Sequence, residues 1–312
     1  MKCTRCGHEA VFESRYSGSF LCREHFVESV DKRVKQELRK QIRFTEKKGK
    51  IAVAISGGKD SSLALFMIRR YYSSWKNVEI VAFTVDEGIK GYREHGLESA
   101  VKLADEMGIE HFTLSFKEAF GTTMDQEVAN DGSFIPCSRC GPMRRGLMNW
   151  ASVRVDADYV VLGINLDDYA QSIMMNVVRG DVTRMGRMAP HEDSRDGLVR
   201  RAIPLRLIPE NEVMLYCILN DIPHDLSWCP YSNRAQRNYF RNIVSEIEDR
   251  FPGSRFAMVK FLDGIKPLIK GAAHHDSHTS CERQGKDSIC SDCPPGMPEN
   301  NSIIAGDLNR TA

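Results

Sequence analysis

The chain has 312 residues, 42% of them hydrophobic, and its 43 Lys and Arg against 42 Asp and Glu leave a formal charge of +1. That length and apolar content can fill one large core or two small ones, while the balanced charge argues against indiscriminate coating of nucleic acid and still allows a local basic stripe such as residues 31–50. No apolar run approaches the roughly 20 residues of a membrane span, and "MKCTRCGHEA" lacks a secretory signal's apolar stretch, so a cytoplasmic protein without membrane contact is expected.

Residues 1–28 carry Cys and His but few aliphatic side chains, too few to fold without a staple. Residues 29–50 read as a charged linker helix, with Val30, Val34, Leu38 and Ile42 at four-residue intervals on one face. From residue 51 short apolar runs, "IAVAI", "VEIVAFTV", "HFTLSF" and "DYVVLGI", alternate with helical stretches at Ser62–Tyr72, Leu97–Met107, Met143–Val153 and Asp168–Val178. That alternation predicts an α/β fold with a parallel sheet over residues 51–232. Residues 235–250 predict one more amphipathic helix, ended by "FPG", within a helical extension over 233–270. The tail, 271–312, is rich in His, Ser, Gly and Pro.

The ten cysteines would remain thiols in the cytosol, so paired spacings favour metal ligation or catalysis over disulfides. Cys3-x2-Cys6-x15-Cys22-x2-His25 sets two ligand pairs on two knuckles, the pattern of a structural tetrahedral zinc, with His8 outside it as a solvated side chain. "PCSRCGP" sets Cys137 two residues before Cys140, a pair that by itself leaves metal, redox and packing roles open. Cys217 sits among apolar residues at helical spacing and reads as a buried free thiol.

"IAVAISGGKDSS" runs from a buried-type strand through a glycine pair into a helix start. Gly57 and Gly58 let the backbone turn sharply and approach a ligand, and Ser56, Ser61 and the helix N–H groups face an anion. The glycine spacing is not that of a Walker A loop, and Asp60 follows Lys59 where Ser or Thr would stand. A tight turn with no ligand is the plain alternative.

SGGKDS resembles the PP-loop of ATP pyrophosphatases, which adenylate a carbonyl oxygen and release pyrophosphate. The resemblance implies that Ser56, Gly57, Gly58, Asp60 and Ser61 hold the ATP phosphates, that Lys59 offsets charge during transfer, and that Mg2+ accompanies the nucleotide. Together with the N-terminal cysteines, and with "PCSRCGPMRRG", "LGINLDDYAQSIMMNVVRGD" and "WCPYSNRAQRNYFR", the chain is similar to the TtcA/TtuA family of tRNA 2-thiolation enzymes from residue 3 to about 267. That likeness implies a PP-loop (adenine nucleotide alpha hydrolase-like) core with small zinc-binding modules at both ends. It also implies that Cys137, Cys140 and Cys229 hold a 4Fe-4S cluster whose fourth iron is open to sulfide. A persulfide on Cys137 or Cys140 with a disulfide step is the competing reading, and it gives Cys229 no necessary role.

In "LGINLDDYAQ" a strand end leads into a helix and puts Gly163, Asn165, Asp167 and Asp168 at the sheet's carboxyl edge. The likeness implies a catalytic or Mg-ordering role for Asp168, whereas a helix cap by Asp167 would explain one carboxylate and not the other. Ile164 stands where the family carries histidine, and Tyr169 where it carries an acid, so those roles do not transfer. "TVDEGIKGYRE" resembles the archaeal and eukaryotic cytoplasmic branch that thiolates the anticodon wobble uridine, with Asp86 and Gly88 facing the nucleotide's base or ribose or forming a plain turn. Arg144, Arg145, Arg179, Arg184 and Arg187 are candidate tRNA phosphate contacts. Cys281, Cys290 and Cys293 resemble a second zinc ribbon in which Gln284 replaces one cysteine, with His274, His275 or His278 as substitutes.

These readings converge on an ATP-dependent tRNA uridine 2-sulfurtransferase. Its expected partners are tRNA and a sulfur donor, either a ubiquitin-like thiocarboxylate carrier or free sulfide, and a homodimer is allowed. T-loop uridine or cytidine thiolation by the same chemistry, and a non-catalytic zinc and iron–sulfur RNA-binding module, are the rivals. Cys3 to His25 speak against the cytidine branch, and intact Lys59, Asp60 and Asp168 against the silent module.

Overall fold

The computed structural model describes residues 1–44, 48–191 and 197–276, with 270–276 described by backbone alone. A small antiparallel hairpin, β1 (Phe12–Ser14) and β2 (Ser19–Leu21), leads directly into helix α1 (Arg23–Gln41). The α/β core follows as β3 (Gly49–Ala54), α2 (Lys59–Tyr72), β4 (Val78–Asp86), α3 (Arg93–Glu106) and β5 (Glu110–Ser115). Short helices α4 (Phe116–Phe120) and α5 (Met124–Asn130) precede α6 (Pro136–Arg154) and β6 (Tyr159–Leu162). Then come α7 (Leu166–Arg179), α8 (Val182–Gly186), β7 (Arg200–Ala202), α9 (Glu210–Leu219), α10 (Gln236–Arg250) and α11 (Ser254–Asp276).

Five strands form one all-parallel sheet in the order β5-β4-β3-β6-β7. Alternate β3 side chains feed opposite faces: Ile51 and Val53 join one buried cluster with Phe26, Val30, Val34 and Leu38 of α1, and Ala52 joins another with Leu147 and Ala151 of α6. A sheet buried on both faces is the reason its strands read as continuous apolar runs. Strand order reverses between β3 and β6, so the crevice beyond their carboxyl ends is the natural ligand position.

The helix expected over 29–50 instead spans Arg23–Gln41, with Cys22 as N-cap and His25 in the first turn, so the N-terminal module and the linker share one rod. Its predicted face is correct: Val30, Val34, Leu38 and Ile42 are all buried. Strand β7, with two arginines in its three residues, has no apolar signature and went unread, although Ala202 is fully buried. A third apolar cluster, of Leu166, Tyr169, Ile173, Val259 and Leu262, docks α11 against α7. Among the described residues no helix is long and apolar enough to cross a membrane. Cys281, Cys290, Cys293 and His278 lie outside the described residues.

Candidate active site and metal centres

The phosphate loop lies where β3 ends. Gly57 has φ +83°, and a Cβ there would stand 1.9 Å from the Gly96 carbonyl oxygen, so only glycine allows the loop to lie against α3. Ser61 Oγ accepts from the Ser56 amide at 3.0 Å and donates to the Gly58 carbonyl at 3.0 Å, which fixes the turn before α2. Gly163 at the end of β6 closes the floor, because a Cβ there would meet the Asp60 carbonyl carbon at 2.5 Å.

Lys59 Nζ lies 3.0 Å from Asp60 Oδ2 and 2.9 Å from Glu210 Oε1. Burial alone would lower its pKa, but the two carboxylates outweigh that and raise it, keeping the ammonium charged. Burial likewise pushes Glu210 up, and the Lys59 contact outweighs it and brings the carboxyl below its ordinary value. Asp60 Oδ1 accepts from Asn165 Nδ2 at 2.8 Å, tying the loop to the β6 end.

Asn165, not Asp167, caps α7: its Oδ1 accepts from the Asp168 amide at 2.9 Å. Asp167 turns instead to Arg255 at 2.8 Å and to the Glu210 amide at 2.8 Å, since the asparagine already occupies the cap. Asp168 is free of the cap and lies 3.4 Å from Arg237 of α10. Asp60, Asp168 and Glu210 do not meet closely enough to cage a cation by themselves, which suits Mg2+ bound through one or two carboxylates plus nucleotide phosphates. Asp86 accepts from the Gly88 amide at 2.8 Å, the turn alternative, and still ends β4 beside the phosphate loop.

The CxxC pair occupies the first turns of α6, with Cys137 exposed and Cys140 buried. Half-buried Cys229 packs into the same apolar cluster as Cys140, and the three thiols lie near enough to affect one another's charge. They do not gather into the 4.8 Å group that one ion would need. A cubane, which takes each thiolate on a different iron, suits three separated thiols. Burial raises both the Cys140 and the Cys229 thiol above the ordinary value.

The segment carrying Cys229 is pinned to the phosphate loop. Asp225 N–H donates to the Gly57 carbonyl at 2.8 Å, and Asp225 pairs with Gly58 as a parallel bridge. A second connection runs through buried Glu87, 2% exposed, which lies 2.8 Å from Arg144 Nε and 2.9 Å from Arg93 Nε. Arg144 donates to Cys140 Sγ at 3.3 Å, and Arg93 donates to the Ser56 carbonyl at 3.3 Å. Arg144, expected at RNA phosphate, therefore has two partners inside the protein. Of the other basic candidates, Arg179 bonds Gln236 and Arg184 pairs with Asp181 at 3.4 Å. Arg145 and Arg187 also have interactions within the chain.

At the N-terminus Cys3, Cys6, Cys22 and His25 place one ligand atom each within 4.8 Å of one another. His25 Nδ1 lies 3.5 Å from Cys3 Sγ and 3.3 Å from Cys22 Sγ, and Cys6 Sγ lies 3.7 Å from Cys22 Sγ. Zn–S bonds of about 2.3 Å imply tetrahedral edges of about 3.8 Å, so the donor set fits such an ion. Burial pushes the Cys3 thiol up, but backbone contacts from Cys22, Arg5 and Cys6 outweigh it and bring the thiol down to about 6. His8 is exposed, with Nδ1 3.5 Å from Cys6 Sγ.

Sequence reasoning missed Glu210, Glu87, Arg93 and Asp225. "PENE" signals a helix start after Pro209, but its pairing with Lys59 depends on the packing of α9 on α2.

A strand–glycine loop–helix at a topological switch point, with lysine and carboxylates beside it, defines an ATP-pyrophosphatase type of site. The PP-loop domain family matches residues 27–247, and the N-terminal LIM domain of the 2-thiouridine synthetase TtuA matches residues 2–27. The tRNA 2-thiolation protein NcsA of Haloferax volcanii is 32% identical, over 94% of this chain and 97% of its own. Cytoplasmic tRNA 2-thiolation protein 1 of Caenorhabditis briggsae is 29% identical, over 92% and 78%. The solved U34-tRNA thiolase NcsA of Methanococcus maripaludis, with its [4Fe-4S] cluster, superposes with a TM-score of 0.77 at 33% identity, covering 94% of each chain. The chain belongs to the PP-loop family and, within it, to the tRNA 2-thiolation proteins that carry this N-terminal domain.

Proposed function

We propose that this chain is an ATP-dependent tRNA uridine 2-sulfurtransferase acting on the anticodon wobble uridine. The observation that supports the reading is the backbone tie between Gly57 and Asp225, which holds the segment leading to Cys229 against the phosphate loop. In this reading the N–H groups of Gly57, Gly58 and the α2 start bind the ATP phosphates, with Mg2+ neutralising their charge. Uridine O2 attacks the α-phosphorus, pyrophosphate leaves, and sulfide then replaces AMP at C2. Lys59 is oriented by Asp60 and Glu210 and stabilises negative charge as it develops. Asp168, with Arg237, stands at the cleft where Mg2+ or the nucleotide would be ordered.

Cys137, Cys140 and Cys229 would hold a 4Fe-4S cluster, which when bound supplies an iron without a protein ligand as a seat for sulfide. Cys3, Cys6, Cys22 and His25 would hold zinc. The sulfur donor is a ubiquitin-like thiocarboxylate carrier or free sulfide, and the setting is the cytoplasm, in keeping with the name of the nematode relative.

The test is anaerobic incubation with ATP, sulfide and unmodified tRNA, followed by mass analysis of position-resolved nucleosides. Wobble 2-thiouridine is expected, with sulfur lost on Cys137→Ala, Cys140→Ala and Cys229→Ala alike. Sulfur found only in the T-loop or on cytidine would overturn the target. Full activity of Cys229→Ala with its iron retained would favour the persulfide route.

A further inference from the structure

We propose that Trp228 is the platform on which the target nucleoside stacks. The inference deepens the function proposed above, on which it rests for the identity of the RNA.

Trp228 is 64% exposed, although it is one of only three tryptophans in the chain. Single exposed apolar side chains are common, so exposure alone carries no weight. Its position does. The residue directly precedes Cys229, and the guanidinium of Arg241 lies over its ring at 5.1 Å from the centroid. The same Arg241 reaches Glu210 at 3.9 Å, and Glu210 holds Lys59. Trp228 thus adjoins Cys229 in the chain and is linked to Lys59 through Arg241 and Glu210, so a base stacked on it would lie near both the thiols and the lysine.

The indole is also held ready. Ser227 Oγ donates to Asp225 Oδ1 at 2.8 Å, Asp225 bonds the phosphate loop, and the Cys229 carbonyl accepts from the Ser232 amide at 2.9 Å. The chain before Trp228 is thus tied to the phosphate loop and a local turn follows it, which lessens the ordering left for the moment of binding. Arg241 lies over the ring, which is still largely exposed to solvent. An exposed indole on a tethered segment takes a splayed-out base of single-stranded RNA, which stacks on aromatic side chains. Arg237, one turn before Arg241 on α10, brings a second cation to the same cleft, complementary to the base's own phosphate.

The experiment measures binding of two anticodon stem-loop RNAs, one with uridine and one abasic at the wobble position, to anaerobically purified full-length protein carrying its metals. Trp228→Ala should weaken binding of the uridine RNA about tenfold, and Trp228→Phe should stay within about threefold of wild type. On the abasic RNA, wild type and Trp228→Ala should bind alike. The quench of indole fluorescence on adding the uridine RNA should disappear in Trp228→Phe, and iron content and ATP affinity should stay at wild-type values in both variants. Equal affinity of Trp228→Ala and wild type for the uridine RNA would overturn the proposal, as would an equal loss on the abasic RNA. Unchanged RNA binding alongside a lost carrier-protein complex, or an altered oligomeric state, would overturn it in favour of a protein dock. If wild type makes no 2-thiouridine, the parent function fails, while the platform is still decided by the binding pattern.

Discussion

Lys59 is held by two carboxylates rather than one, and the second comes from a helix far along the chain. Lys59→Ala removes the charge that steadies the transferring phosphorus, so adenylation should fall by about a hundredfold or more at unchanged iron content. Glu210→Gln keeps an acceptor but removes the charge that orients the ammonium, and about a tenfold fall in kcat/KM for ATP is expected. Steady-state pyrophosphate release checks both, and wild-type rates in Glu210→Gln would remove the orienting role. Lys59, Asp60 and the glycines were legible because one continuous motif carries them. Glu210 was not, since nothing local distinguishes a first-turn glutamate that caps a helix dipole from one that reaches a lysine on another helix.

At the scale of elements, the site is assembled by contacts between segments. Glu87 follows β4, Arg93 opens α3 and Arg144 lies on α6; the Glu87–Arg93 pair is almost out of water, while the Arg144 side chain reaches Glu87 from the surface. Breaking such a buried group by removing one partner strands the others. Glu87→Gln should therefore lower stability by about 3 kcal/mol and free Arg144 from its place beside Cys140. Denaturant midpoints and iron content after anaerobic purification measure the two effects, and a variant matching wild type in both would refute the coupling. The parallel sheet was legible from apolar runs, and α7 from its spacing. The alternative of an Asp167 cap falls because Asn165, an equally good capping residue two positions earlier, takes the cap, and only the backbone decides between them. β7 escaped notice because its pairing with β6, not its composition, makes it a strand.

For the whole molecule, α1 joins the N-terminal metal group to the core. Cys22 is its N-cap, His25 lies in its first turn, and its far half buries Val34 and Leu38 against the sheet. Cys22→Ser should release the N-terminal metal and expose amides of residues 1–28 to hydrogen exchange, while ATP turnover changes less than twofold in this separate part of the fold. Metal analysis beside exchange mass spectrometry tests this, and retained metal would refute the ligand set. The convergence of Cys3, Cys6, Cys22 and His25 was readable in sequence because their paired spacing brings two knuckles together. The union of finger and helix was not, since an apolar stripe gives no account of where its first turn begins.

The three thiols of the cleft come from distant stretches of chain: two open α6, and the third follows α9 on the segment tied to Gly57. During synthesis on the ribosome the pair emerges first, and the nascent chain then presents a dithiol with no third ligand. Only when the segment through Cys229 has emerged and Asp225 has docked on the phosphate loop is the third thiol in place. If these thiols hold the proposed cluster, its delivery becomes a late event in the life of the polypeptide, after the ATP cradle has folded, and a product truncated before Cys229 would have no complete seat for it.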